Sequence, residues 1–228
     1  IYLATRREEA RGLTLQQTFL LTTGVWVALP LFGALPFVLG ATDASYTDAF
    51  FEAMSGLTTT GATVFSGLDY LPDGLLLWRS ILQWLGGIGI IVVAMVFLPE
   101  LRVGGMQIFR SEGFDTFGKI LPRATEIAAQ IAWLYVALTV ACAVVYIASG
   151  MRSFDAVLHA MTTIATGGFS SYDASFVRFG AATEYACVLF MCLAALPFVR
   201  YVQLINGQPS SLFKDTQVRM FFIILMVA

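Results

Sequence analysis

The chain has 228 residues, of which 58% are apolar and only 12% are charged, and its mean hydropathy of +0.78 lies far above that of a soluble domain. Its 13 basic and 15 acidic side chains are too few to coat a soluble body of this size, and the net charge of −2 provides no electrostatic footprint for nucleic acid. We therefore expect an all-α integral membrane protein in contact with lipid, with no nucleic-acid partner.

The first candidate membrane span covers Thr14–Gly40. Its apolar run exceeds the ~20 residues that a bilayer crossing needs. Pro30 and Pro36 interrupt the run, and each removes a backbone donor and clashes with the preceding turn. We expect these prolines to kink the outer half of the span or to end it.

Three further apolar segments are long enough to cross the bilayer. They cover Leu75–Leu98, about 127–149 and about 184–204. The segment Leu75–Leu98 contains a single charge, Arg79, close to one end of the span. We expect the Arg79 side chain to snorkel to the membrane interface.

Two shorter helix-like segments, Ala49–Leu57 and Ala156–Ala165, lie between paired spans. At ~1.5 Å rise per residue each is only ~15 Å long, about half the thickness of the hydrocarbon core, so neither crosses it. Each is followed by a Thr/Gly-rich stretch of non-helical character, TTTGATVFSG and TGGFSSYD respectively. Because irregular backbone survives at membrane depth only when it is buried in protein or lines a wet cavity, we expect two re-entrant half-helices with pore loops.

The two halves of the chain form a repeat. Sliding the sequence by 107 residues without a gap places Gly61 on Gly168 and gives six identities within the fourteen positions that begin at Asp48 and Asp155. Both units read span, half-helix, loop, span in one orientation, which predicts parallel repeats around an axis along the membrane normal. The predicted division is a first unit at 1–100, a cytoplasmic linker at 101–124, a second unit at 125–207, and a linker with the start of a truncated third unit at 208–228.

Basic residues predict the orientation of the loops. Ten of them precede the first span, lie between the units or follow the second unit, so the loops are expected outside. Three basic residues are on the loop side: Arg79, Arg152 and Arg178. The same side carries eight acidic residues: Asp43, Asp48, Glu52, Asp69, Asp73, Asp155, Asp173 and Glu184. We expect an acidic outer vestibule that concentrates cations.

The Thr/Gly loops offer only neutral oxygen ligands. Threonine hydroxyls and backbone carbonyls suit a dehydrated monovalent cation, because a ring of carbonyls replaces part of its hydration shell. A glycine in such a ring lets the carbonyl point at the axis in a conformation that residues with a Cβ disfavour. The partly negative C-terminal end of each half-helix is expected to point toward the pore centre, which also favours a cation.

Four sequence segments resemble those of a known family. They are DAFFEAMSGLTTTGAT (Asp48 to Thr63), LLLWRSILQWLGGIGIIVVAMVFLP (Leu75 to Pro99), VGGMQIFRSE (Val103 to Glu112) and TTIATGGFSSYDASF (Thr162 to Phe176). Together they resemble the membrane subunit of Trk-type bacterial potassium uptake systems, in the wider Trk/Ktr/HKT superfamily, over nearly the whole chain. The resemblance implies a channel-like potassium transporter of four M1-P-M2 units in one chain, with re-entrant pore loops around a central ion path.

The resemblance also implies a selectivity filter with one glycine from each unit, and Gly61 and Gly168 match these glycines. Gly168 is preferred over Gly167 because the ungapped repeat places it opposite Gly61, and because the family's loops commonly have an apolar residue after the filter glycine. The flanking filter positions are Thr58, Thr59, Thr60 and Ala62 in the first loop, and Ala165, Thr166, Gly167 and Phe169 in the second. The positions expected to bind K⁺ are Thr59, Thr60, Gly61, Thr166, Gly167 and Gly168.

A function and an assembly follow from the same resemblance. It implies potassium ion transmembrane transport in a multi-pass protein of the bacterial plasma (inner) membrane, with K⁺ as the transported ion and no covalently bound cofactor. The family forms dimers of complete pores and docks a cytosolic nucleotide-binding regulatory subunit of Rossmann type, so we expect a homodimer and such a partner. Two units do not close a four-unit ring, which predicts that the sequence is a partial chain.

Two other functions fit parts of the sequence. An intramembrane hydrolase would use Ser55, Ser66, Ser170 or Ser171 as nucleophile, with His159 as base. The single histidine, the lack of a G-x-S-x-G motif and the lack of a matching pair in the first unit argue against it, so no enzyme activity is expected. The second alternative is a non-conducting membrane scaffold, which would need no duplicated re-entrant loops.

For several conspicuous residues we favour a structural interpretation over a functional one. His159 is expected to be a packed or capping histidine rather than a titrating ligand. Asp48 and Asp155, at the start of the half-helices, are expected to be N-cap residues rather than ion ligands. Three glycines of the second span are expected to permit close helix packing rather than to form a hinge: Gly86, Gly87 and Gly89.

Overall fold

The computed structural model describes residues 15–97, 120–207 and 210–227, and these residues form helices and irregular connections without a strand. The helices of the first unit are α1 (Leu15–Gly33), α2 (Leu35–Leu39), α3 (Tyr46–Leu57) and α4 (Asp73–Phe97). Those of the second unit are α5 (Ile120–Ala148), α6 (Ser153–Ile164), α7 (Ala181–Ala195) and α8 (Phe198–Ile205). Helices α9 (Ser210–Phe213) and α10 (Thr216–Val227) follow. The all-α fold class is confirmed.

Three stretches of the described residues are long and apolar enough to cross a membrane. They are Phe19–Leu39 in α1 and α2, Asp73–Ile91 in α4 and Ala128–Ala148 in α5. The number becomes four if α7 and α8, which pass the test together, count as one span. These positions match the predicted spans closely.

The fourth predicted span, at about 184–204, consists of two helices with a sharp bend between them. Helix α7 ends at Ala195, Leu196 is extended with ψ 148°, and α8 leaves at an angle of 83°. The cause is Pro197, because a proline disfavours the helical conformation in the residue before it and has no N–H to donate. With 15 residues, α7 alone is only ~22 Å long.

The prolines of the first span behave as predicted. Pro30 lies inside α1, and the helix breaks four residues later at Ala34. Pro36 falls in the first turn of α2, where a missing N–H costs nothing, and α2 ends after five residues. The C-terminal end of this span is therefore a separate short helix.

The two half-helices are also confirmed as short. Both α3 and α6 have 12 residues, so each is ~18 Å long and too short to cross the hydrocarbon core. Helix α5 begins at Ile120, inside the segment 101–124 that was predicted as a linker. Residues 101–119 of that segment lie outside the described residues.

Helix α4 joins the two units, because it packs against α3 of the first unit and against α6 of the second. A Cβ on Gly86 would overlap the carbonyl of Leu57, and a Cβ on Gly87 would lie 2.5 Å from the Tyr135 hydroxyl. The packing role predicted for Gly86 and Gly87 is confirmed. Gly89 is less closely packed, since its nearest neighbour among the described residues is the Trp26 ring, 4.0 Å from the position of a Cβ.

Candidate functional site

Both half-helices end in the same hydrogen-bonded turn. After the last helical residue, two successive backbone N–H groups donate to carbonyls three and five residues back, at 2.9 Å, which is the Schellman arrangement. The donor and acceptor pairs are Thr59 with Gly56 and Thr60 with Ser55 in the first unit, and Thr166 with Thr163 and Gly167 with Thr162 in the second. Corresponding positions differ by 107 residues, so the sequence repeat is also a repeat of backbone conformation.

The repeated turn places a threonine in the left-handed region of each loop. Thr59 has a φ of 54° and Thr166 a φ of 51°. Glycine is usual at this position of a Schellman turn, and a β-branched residue there is an outlier that stores about 1–3 kcal/mol of strain. Both threonines are predicted filter positions, but no sequence pattern indicates their left-handed conformation. Two residues later, Gly61 and Gly168 also have positive φ, at 77° and 84°.

The two loops meet backbone to backbone. A Cβ built on Gly61 would overlap the carbonyl oxygen of Gly167. Around Gly168, by contrast, no described residue other than its chain neighbours comes within 4 Å of the position that a Cβ would take. The loops that the sequence predicts as filter elements therefore lie side by side.

The ten predicted filter residues differ in exposure. Those with exposed surface are Thr58, Thr60, Ala62, Thr166 and Gly168, and those that are half-buried are Thr59 and Gly61. The buried ones are Ala165, Gly167 and Phe169. The Thr58 hydroxyl donates to the Met54 carbonyl and lies 2.8 Å from the Thr60 hydroxyl. The exposed groups are hydroxyls and backbone oxygens without charge, which suits a monovalent cation.

A buried ion pair lies behind the loops. The Arg79 guanidinium donates to the Glu52 carboxylate at 2.8 Å, and the two side chains are 1% and 0% exposed. The expected snorkelling of Arg79 was therefore wrong, as was the placement of Glu52 in an outer vestibule. The physical reason is that a charged side chain within membrane segments is stabilised by an opposite charge, and Arg79 and Glu52 neutralise each other in this way.

The same pair connects the two loops. The Glu52 carboxylate accepts the Thr63 hydroxyl at 2.8 Å and the Val64 N–H at 3.0 Å. Nη1 of Arg79 donates to the Ser170 carbonyl at 2.8 Å, and its guanidinium lies 4.2 Å from the centre of the Phe169 ring. This role was not predicted, although Glu52 and Arg79 are isolated opposite charges in two apolar helices of one unit, which is a signal for an ion pair.

Each of the three basic residues on the loop side is ion-paired, so the positive charges of this side lie next to four of its carboxylates. Arg79 pairs with Glu52, Arg152 with Asp155 and Asp73, and Arg178 with Asp69. Asp173 is also engaged, since its carboxylate accepts the N–H groups of Gly67 and Leu68 at 2.8 and 3.1 Å. This last contact fastens the C-terminal part of the first loop to the second unit.

The N-cap roles predicted for Asp48 and Asp155 were wrong. Ser45 caps α3: its Oγ accepts the Asp48 N–H at 3.2 Å and donates to the Asp48 carboxylate at 2.7 Å. The residue before α6 is Arg152, whose side chain caps nothing.

The Asp155 carboxylate instead accepts hydrogen bonds from three side chains: Arg152 at 3.0 Å, Tyr172 at 2.9 Å and Ser171 at 3.1 Å. Burial raises the pKa of Asp155, but these hydrogen bonds outweigh it and hold the pKa below its ordinary value.

His159 is a packed histidine, as predicted. It is fully buried, its Nδ1 lies 2.8 Å from the Asp155 carbonyl oxygen, and the rings of Phe176 and Phe179 meet it edge-on. Its Nε2 lies 2.9 Å from the Ser170 hydroxyl, which is the spacing of a nucleophile and its base. A backbone carbonyl rather than a carboxylate orients the ring, and the surrounding phenyl groups leave no access for a substrate to the imidazole.

Comparison with known proteins identifies the family to which this chain belongs. The family model TrkH, described as a cation transport protein, matches residues 2–228. The Trk system potassium uptake protein TrkI of Halomonas elongata is 45% identical over 213 residues, which are 92% of this chain and 43% of that protein. TrkH of Escherichia coli K12 is 42% identical over 220 residues, which are 94% of this chain and 46% of that protein.

A solved structure of the same family is also similar to this chain. The crystal structure of the potassium transporter TrkH from Vibrio parahaemolyticus matches with a TM-score of 0.84 and 40% identity, over 97% of this chain and 45% of that one. The chain thus spans just under half the length of the curated relatives it matches. All three are named as transport proteins, which sets the hydrolase interpretation aside.

Proposed function

Because the chain belongs to the TrkH family of cation transport proteins, we propose that it carries potassium ions across the bacterial inner membrane as part of a Trk-type uptake system. The observation that supports this most strongly is the repeated loop conformation. Gly61 and Gly168 occupy matching left-handed positions at the ends of two half-helices, and the two loops touch. A scaffold without an ion path has no use for this duplicated, strained backbone.

The same geometry supports the proposal of a selectivity filter. We assign Gly61 and Gly168 as the filter glycines, with Thr59, Thr60, Thr166 and Gly167 supplying further oxygens. A left-handed glycine permits a carbonyl direction that other residues adopt only with strain. The half-helices are re-entrant in this proposal, because 12 residues do not cross the hydrocarbon core.

The assembly is part of the proposal. Two M1-P-M2 units, at 1–100 and 125–207, contribute two loops to one ion path, with the loops outside and the linkers in the cytoplasm. Closing the ring requires two further units. On the resemblance to Trk-type systems, the complete pore forms a homodimer and docks a cytosolic nucleotide-binding regulatory subunit.

Uptake of radioactive rubidium into proteoliposomes that contain the native protein tests this function. We expect uptake that sodium competes for poorly, and we expect Gly61→Ser and Gly168→Ser each to reduce the discrimination between K⁺ and Na⁺. Gly67→Ser is the matched control, because Gly67 also has a left-handed φ of 71° but lies outside the filter positions. Absence of uptake, or unchanged selectivity in both filter variants, contradicts the proposal.

A further inference from the structure

Two polar side chains of α4 reach into the second loop from behind. Arg79 and Gln83 are four residues apart, so they lie on one face of the helix, and both are buried. Although α4 belongs to the first unit, both side chains hydrogen-bond to the loop of the second unit. The backbone of that loop is therefore fastened by a neighbouring unit.

Gln83 makes the contact nearest to the filter glycine. Its Oε1 accepts the N–H of Phe169, the residue after Gly168, at 3.0 Å. The side chain is 0% exposed, and its Nε2 has no hydrogen-bond partner among the described residues. A Cβ on Gly167 would overlap the carboxamide carbon of Gln83, so the loop backbone packs directly on the amide.

This hydrogen bond controls the direction of a carbonyl. The N–H of Phe169 and the C=O of Gly168 belong to one planar peptide group, in which they point in opposite directions. When Gln83 holds the N–H, the Gly168 oxygen is directed away from α4. Gly168 itself imposes little restraint, because glycine adopts many backbone conformations and no neighbour contacts its Cβ position among the described residues.

Arg79 secures the next part of the same loop. It donates to the Ser170 carbonyl and stacks on the Phe169 ring, while Glu52 holds the guanidinium in place. The first loop is fastened differently, because the Ser55 hydroxyl of its own half-helix donates to the Ala62 carbonyl at 2.5 Å. At the residue after the filter glycine, the second loop is therefore held by a side chain of the other unit, and the first loop by its own half-helix.

We propose that Gln83 is a positioning residue for ion selectivity, which orients the Gly168 carbonyl toward the ion path by holding the Phe169 N–H. The inference rests on the proposed function, since it assigns a task to a residue that does not touch the ion. A specific consequence is that losing the acceptor oxygen changes selectivity rather than only the amount of folded protein.

The test compares Gln83→Met, which keeps the side-chain length but removes the acceptor, with Gln83→Glu, which keeps an oxygen at the same reach. Rubidium uptake with sodium competition is measured in proteoliposomes of the native protein. We expect Gln83→Met to lower the K⁺ over Na⁺ ratio about fivefold, the factor that corresponds to one lost hydrogen bond of ~1 kcal/mol, and Gln83→Glu to restore most of the ratio. Ser80→Ala is the control, because Ser80 is buried on the same helix and its hydroxyl donates to the Leu76 carbonyl of that helix, not to a loop.

The outcomes separate this inference from the proposed function. If the unmodified protein takes up no rubidium, the proposed function fails. If it is selective and Gln83→Met keeps its ratio, or Gln83→Glu is as poor as Gln83→Met, only the inference is overturned. If Gln83→Met does not reach the membrane, Gln83→Asn replaces it, because the shorter side chain of asparagine does not reach the Phe169 N–H. A K⁺ over Na⁺ ratio of Gln83→Asn equal to that of the unmodified protein then overturns the inference.

Discussion

The carbonyl oxygen of Gly167 lies against the Cα of Gly61, at the position that a side chain on Gly61 would occupy. The contact joins two loops that are 106 residues apart in the sequence (167 − 61). It does not join equivalent residues, because the repeat pairs Gly61 with Gly168. The proposed arrangement of the units around an axis accounts for this offset, because one edge of a loop then meets the opposite edge of the next loop.

This contact predicts unequal effects of two similar substitutions. Gly61→Ala combines left-handed strain of about 1–2 kcal/mol with an overlap that costs a further 1–3 kcal/mol, whereas Gly168→Ala carries the strain alone. We expect the first variant to have the lower melting temperature in detergent. Equal melting temperatures would show that the Gly61–Gly167 contact is looser than described.

The buried ion pair predicts a large coupling energy. Glu52→Gln or Arg79→Met alone leaves an uncompensated buried charge, which costs about 3–5 kcal/mol of unfolding free energy, and the double variant loses less than the sum. A double-mutant cycle on thermal or denaturant unfolding measures this coupling.

The half-exposed pair of Arg178 and Asp69 is the matched control for that cycle, and its coupling is expected to stay under about 1 kcal/mol. Additive effects at Glu52 and Arg79 would contradict the pairing.

Close packing of α4 predicts opposite effects for two glycines of that helix. Gly86→Ala places a methyl group on the Leu57 carbonyl and is expected to destabilise the protein by about 1–3 kcal/mol. Gly74→Ala meets no atom within 4 Å among the described residues, so it is expected to be neutral or stabilising by up to about 1 kcal/mol. Melting temperatures of the two variants check this, and a Gly86→Ala variant as stable as Gly74→Ala would disprove the close approach.

The environment of Asp155 predicts a pH-dependent contribution to stability. Because its folded-state pKa lies below its ordinary value of 3.8, the contribution is present above that value and is lost as the pH falls through the lower folded-state pKa. Asp155→Asn is therefore expected to cost about 1–3 kcal/mol at neutral pH and progressively less in acid. Unfolding measured across this pH range tests the sign, and an offset between the two proteins that is independent of pH would contradict it.

Local signals in the sequence predicted the spans, the half-helices and the repeat register. Apolar length identified α4 and α5, and the ungapped alignment of Gly61 with Gly168 was matched by their backbone angles. The break before α8 was missed, although Pro197 is the sequence signal for it, because the prediction relied on the length of the apolar segment.

The tertiary contacts of the loops were not accessible in the same way. Hydropathy placed Arg79 near a membrane boundary, and only the folded arrangement shows that Glu52 faces it. The contact of Gln83 with Phe169 joins residues 86 positions apart in different units, so no local pattern records it. Helix α3 begins at Tyr46, three residues before the predicted start at Ala49. Ser45 is therefore its N-cap, and Asp48 lies in the first turn of the helix.

The most direct measurement is the location of a bound ion. Crystals of the native protein grown with rubidium, examined by anomalous scattering, are expected to show density coordinated by backbone oxygens of both loops, next to Gly61 and Gly168. Density bound away from these loops, or none between them in a protein that transports rubidium, would contradict a shared ion path.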